Sequence, residues 1–236
     1  MAGIGFQLTK LMRKQTFAGG LQAYGYAALI GSGPWVLSMV TLAVLGIVLQ
    51  RAGAGGELDV FFVSVTHIFA FSLVTTGPLQ LLLSRYAADG VFAKKEEKVF
   101  PSLMGGLVLA LIVNAALGLF FFVGFVPASP LFQFAAAGVL MIVSAIWIGT
   151  VYLSAVRDYH AVIRCFAIGY TVSFGGAWLF SRWAGVGGTM AGFLVGQVVL
   201  LLAMVRVIFR EFGSAAPPSF AFLGYFKTHR RSPAVA

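Results

Sequence analysis

Six apolar runs fill this chain almost end to end, at roughly residues 23–49, 60–85, 102–126, 131–156, 163–182 and 187–209, and the intervals between them are too short to fold on their own. Each run reaches the about 20 residues that a helix needs to cross a bilayer. In lipid every backbone N–H and C=O must find its partner within the chain, so long apolar runs of this kind resolve as helices. Only 10% of the 236 residues are charged, against about 25% in a soluble domain. That is too little charge to cover a water-facing surface. The expected fold is an all-α membrane protein with about six transmembrane helices. Its parts are an amphipathic N-terminal segment at 1–20, a six-helix transmembrane unit at 21–210 and a basic tail at 211–236.

Charge sets the expected orientation. If the N-terminus is inside, 14 of the 16 Lys and Arg residues fall in inner segments, and only Arg51 and Arg182 fall outside. Cytoplasmic segments of membrane proteins carry such an excess. Both ends are therefore expected in the cytoplasm, in a multi-pass inner-membrane protein. The net charge of +9 then reads as topology and contact with anionic lipid headgroups, not as nucleic-acid binding. The N-terminus makes a poor signal peptide, because its basic stretch leads into an apolar run too long for an h-region. Two stretches have interfacial character: "FQLTKLMRKQTF" at the start, and "FAKKEEKVF" at 92–100, which reads equally as an amphipathic helix or as a solvated connection.

Two of the runs carry helix breakers. Gly33–Pro34 lies in the first and Gly77–Pro78 in the second, at similar expected depth on the cytoplasmic side. Proline deletes a backbone hydrogen bond and crowds the preceding turn. Interrupted membrane helices are tolerated beside protein or a wet cavity, and they point to transport sites. The pairs are thus candidate breaks or hinges, with plain packing kinks as the alternative. All seven carboxylates lie at or beyond the ends of the runs, which argues against ion coupling through an acid at depth. Of the polar residues at depth, His67 and Asn114 lie nearest the middle of their runs. With Tyr24, Tyr26 and Trp35 they are candidates for a cavity or substrate path. Arg85, Arg157 and Asp158 end their runs on the cytoplasmic side as candidates for a mouth, or as snorkelling anchors. Gly188, Gly192 and Gly196 recur every four residues and form a candidate helix-packing stripe.

No catalytic or metal site is expected. The chain has no phosphate-binding glycine loop, no zinc-type His/Cys spacing and no nucleophile elbow. Its single Cys165 makes no internal disulfide. No cofactor is implied, and the protein reads as a non-enzyme.

Four stretches carry a family resemblance: "MAGIGFQLTKLMRK" at the start, "AYGYAALIGSGPWVLS" at 23–38, "IFAFSLVTTGPLQLLLSRYAAD" at 68–89 and "VRDYHAV" at 156–162. In order along the chain they resemble the N-terminal half of the PelG family, the inner-membrane transporters of the Pel exopolysaccharide system. That family in turn resembles the MOP flippase superfamily, in which two lobes of about six helices face each other across a cavity. The resemblance implies export of a polysaccharide rich in N-acetylated amino sugars, as one lobe of a two-lobe transporter. It also implies membrane and synthase partners: a PelF-like glycosyltransferase, a PelD-like cyclic-di-GMP receptor and a PelE-like membrane protein. Such transporters are about twice this length, so the expectation is a lobe that needs a second lobe or a dimer partner and does not transport alone. No catalytic residues are carried over. Two further readings stay open: a flippase for another lipid-linked oligosaccharide, and a non-transporting scaffold of a polysaccharide synthase complex, which the glycine stripe and the basic loops suit equally well.

Overall fold

A computed structural model of the chain describes residues 38–51, 55–94, 96–153, 159–213 and 216–224. Among the described residues there is no strand. The helices are α1 (Ser38–Arg51), α2 (Gly55–Phe92), α3 (Val99–Gly118, prolonged by the π-helical turn Leu119–Val123), α4 (Pro130–Leu153) and α5 (Tyr159–Phe212). Among the described residues, four stretches are long and apolar enough to cross a membrane: Leu58–Phe92, Val99–Val123, Pro130–Leu153 and Ala161–Phe212.

The last of these is two helical arms. Ala184 and Gly185 leave helical geometry, and Gly185 takes φ 53° and ψ −136°, a conformation open to glycine and costly for other residues. The chain reverses there, between the fifth and sixth apolar runs. Gly188, Gly192 and Gly196 on the second arm then lie against the first. A Cβ at Gly188 would meet the carbonyl of Phe180, one at Gly192 the carbonyl of Gly176, and one at Gly196 the Ser173 hydroxyl and backbone. These backbones approach too closely for any side chain between them. Such contact holds helices together in lipid, where apolar burial alone gives no drive.

The other breaker behaves differently. α2 runs unbroken through Gly77–Pro78 as one helix of 38 residues. Pro78 withholds only the N–H that would reach the Val74 carbonyl, and α2 continues past it. Gly33–Pro34 lies outside the described residues. The stretch at 92–100 is a tight connection: Ala93 and Lys94 turn, with Lys94 at φ 56°, and a single 3-10 turn at Glu96–Lys98 leads into α3.

α3 runs antiparallel to both α2 and α4. Gly106 brings the α3 backbone against Leu83 of α2 and Ile148 of α4, and Gly118 brings it against Ala137 of α4. α4 also packs on the second arm of α5, through Gly138 on Leu194 and Gly149 on Met204. Two apolar cores result. One, around Leu83, Leu103, Ile148, Tyr152, Leu200 and Met204, lies at the end where α2 finishes and α3 begins, here called the basic end because Arg85, Lys94, Lys98, Arg206 and Arg210 gather there. The other, around Leu45, Phe61, Ile68, Phe132 and Phe193, lies at the opposite end.

The basic end is closed by an unusual element. After α5, residues 216–224 cross the start of α3. The Ser219 amide donates to the Pro101 carbonyl at 2.8 Å, and the Ser219 carbonyl lies directly against Gly105. Phe222 is fully buried, with its ring edge-on to Tyr86 of α2 at 6.5 Å.

Candidate functional site

Between the two cores, at mid-height, the bundle is polar. The polar side chains are Ser72, Thr75 and Thr76 of α2, Asn114 of α3, Ser144 and Trp147 of α4, and Ser173 and Gln197 of the two α5 arms. Ser72, Thr76, Asn114, Ser144, Ser173 and Gln197 are buried. A polar group withdrawn from water must find a partner or lose roughly 1–3 kcal/mol, and these side chains do find partners. Thr76 donates to the Ser72 carbonyl at 2.6 Å, and Ser144 to the Leu140 carbonyl at 2.7 Å. Gln197 Nε2 donates to Ser173 Oγ at 3.1 Å and clasps the two arms together.

Two bonds join α2 to its neighbours in this region. Thr75 Oγ1 donates to Asn114 Oδ1 at 2.7 Å, while Asn114 Nδ2 donates to the Ala110 carbonyl at 3.0 Å. Trp147 Nε1 donates to Ser72 Oγ at 2.9 Å. One turn further along α2, Gln80 Nε2 donates to Thr76 Oγ1 at 2.8 Å. Ser72, Thr76 and Gln80 stand four residues apart, so they form one ridge of α2. Thr75 and Gln80 are only half-buried. The seam is thus satisfied inside and accessible along one edge.

Next to that edge lies a face of α2 that no described helix covers. Val60, Val63, His67, Phe71, Val74, Pro78, Leu81 and Arg85 are spaced three or four apart and all exposed. His67 Nδ1 lies 2.7 Å from the Val63 carbonyl and donates to it, which in the neutral ring leaves Nε2 as an acceptor. The imidazole stacks on Phe71, with centroids 6.4 Å apart and planes 26° apart.

Of the residues singled out in the sequence, His67 and Asn114 are placed on neighbouring helices but do not meet. Asn114 is 1% exposed and bonded to Thr75 and Ala110, whereas His67 is about two turns of α2 away from Thr75 and exposed. Arg85 is exposed on the last turns of α2, beside the Tyr86–Phe222 contact. Pro78 lies on the same uncovered face, and a Cβ at Gly77 would touch nothing. Tyr24, Tyr26, Gly33, Pro34, Trp35, Arg157 and Asp158 lie outside the described residues. Sequence reasoning passed over Ser72, Thr75, Thr76 and Trp147. The available signal was the spacing of Ser72, Thr76 and Gln80, diluted by the apolar residues between them.

These features define a class: a helical membrane protein whose spans pack around neutral, hydrogen-bonding side chains, with no acidic side chain among the described polar groups there. The family comparison narrows the class. Residues 1–235 match the family model described as "PelG: Putative exopolysaccharide Exporter (EPS-E)", and the chain belongs to that family. Neither the comparison with curated proteins nor that with solved structures finds a match. The chain is therefore a membrane protein of an exopolysaccharide-exporter family.

Proposed function

We propose that this chain forms one wall of an export path for an amino-sugar-rich exopolysaccharide across the inner membrane, with both chain ends in the cytoplasm. The observation that carries the reading is the Thr75–Asn114 bond at the half-open edge of the polar seam, beside an uncovered α2 face that bears His67. Sugar hydroxyls and acetamido groups are neutral donors and acceptors, and a neutral seam suits them better than ion pairs do. A polar imidazole on an exposed helix face at that depth is costly in lipid, so the face requires protein or water opposite it. A second lobe or a second copy of the chain supplies that opposite wall. The two halves then rock in alternating access or hold a continuous path. The PelF-like, PelD-like and PelE-like partners belong to this reading as the source and control of the chain being exported.

The test is secretion. In cells that carry the whole export system, Asn114→Leu and Thr75→Val are expected to keep normal membrane levels and to lose most secreted polysaccharide. The scaffold reading predicts the reverse: both variants export normally. One observation already favours the path over the scaffold. The glycine stripe offered as a partner surface is occupied within the chain by Gly176, Phe180 and Ser173.

A further inference from the structure

The aromatic rings beyond the polar seam, toward the end away from the basic residues, form a connected series. His67 stacks on Phe71 at 6.4 Å, Phe71 reaches across to Phe121 of α3 at 6.3 Å, and Phe121 lies 6.4 Å from Phe125. None of these rings is enclosed: Phe71 is 52%, Phe121 44% and Phe125 65% exposed. The π-helical turn Leu119–Val123 carries Phe121, whose ring meets Phe71, while Phe122 stays buried. The series starts about one turn from Thr75 on α2 and about two turns from Asn114 on the α3 side, roughly 6–10 Å further along the bundle axis.

Two features separate this lane from an ordinary lipid-facing surface. In the neutral ring His67 Nε2 is an acceptor with no partner among the described residues, and a hydrocarbon solvent cannot supply one. The lane is also neutral: α2 carries no Asp, Glu, Lys or Arg from Val60 to Ser84, and α3 carries none from Val99 to Val123. A ligand that fits must be uncharged, must present apolar C–H faces to ring faces, and must carry donors at its rim for Nε2. Pyranose rings meet all three conditions. Their axial C–H groups lie against the negative face of an aromatic ring, and their hydroxyl or acetamido groups donate at the edge.

We propose that His67, Phe71, Phe121 and Phe125 form a stacking lane for the pyranose rings of a neutral N-acetylated sugar chain, continuing the path from the polar seam. The inference rests on the export reading above and adds the residues that hold the chain after it leaves the seam. The lane grips by ring faces, so the polymer slides from ring to ring without breaking directional bonds.

The probe is chitotetraose, a neutral tetramer of N-acetylglucosamine, added to the full chain in lipid nanodiscs. Saturation-transfer NMR reports which sugar protons touch the protein, and a titration gives the affinity. Phe71→Leu and Phe121→Leu keep the bulk and apolarity of exposed positions but remove the ring, and each is expected to weaken binding by roughly three- to tenfold. Phe71→Trp is expected to restore it, with saturation strongest at the axial C–H protons. Leucine variants that bind like the wild type, or a wild type that does not bind the probe, would overturn the lane. Secretion separates the two claims. If the leucine variants export normally while Asn114→Leu does not, the lane is wrong and the export path stands. If neither lane nor seam variants affect secretion, both fall.

Discussion

Two adjacent glycines on the first arm of α5 make opposite demands. Gly176 and Gly192 meet backbone to backbone, and a Cβ on either would press on the other's carbonyl. Gly175 is exposed, and a Cβ there would touch nothing within 4 Å. Gly192→Ala is therefore expected to destabilise the hairpin by about 1–3 kcal/mol, the usual size of overpacking. Gly175→Ala is expected to be neutral or slightly stabilising, because alanine is the better helix former. Thermal unfolding of the two variants in the same detergent checks the contrast. The spacing of Gly188, Gly192 and Gly196 was legible in the sequence, since residues four apart share a helix face. The surface that face meets was not, because an apolar helix carries no address for its partner. The structure supplies it through the turn at Gly185. The same limit hid the seam: Asn114 stood out as the one amide in its run, but Thr75 looked like one more small residue beside a Gly-Pro pair.

At the scale of elements, the apolar runs from residue 60 onward were legible as helices because length and hydropathy alone decide the matter in lipid. What they did not decide was continuity. Gly77–Pro78 is a candidate break or hinge, and α2 continues through it as one helix, held on one side by the Thr75–Asn114 bond to α3 and on the other by Leu83 in the core. Tertiary contacts of this kind override a local breaker. The cost that remains is the Val74 carbonyl without its helical N–H. Pro78→Ala restores that donor and is expected to raise stability by about 1 kcal/mol, the net worth of an intramolecular hydrogen bond. The expected readout is a higher melting temperature. Secretion by the same variant asks the functional question: an unchanged level means that Pro78 is a tolerated kink, and a loss despite the higher melting temperature means that export needs α2 to yield at this point.

For the molecule as a whole, the segment at 216–224 joins what the order of the chain keeps apart. It follows the last helix, yet its contacts are with Pro101 and Gly105 at the start of α3 and with Tyr86 near the end of α2. Nothing in its composition announced this, because Phe220 and Phe222 look alike in sequence while the first is 46% exposed and the second fully buried. The contact has two sides, and each can be removed alone. Phe222→Ala empties the pocket between Tyr86 and α3, at a cost of about 3 kcal/mol for a fully buried phenylalanine. Gly105→Val leaves Phe222 intact but sets a side chain where the Ser219 carbonyl lies. If the segment docks as one unit, both variants release it, and both make the chain newly sensitive to protease beyond Gly213 while α2 to α5 stay protected. The double variant should then cost clearly less than the sum of the singles, because partners in one contact are not additive. Additive losses would mean that Gly105→Val acts by distorting α3 itself, and the basic end would then be held by its apolar core without help from the segment that crosses it.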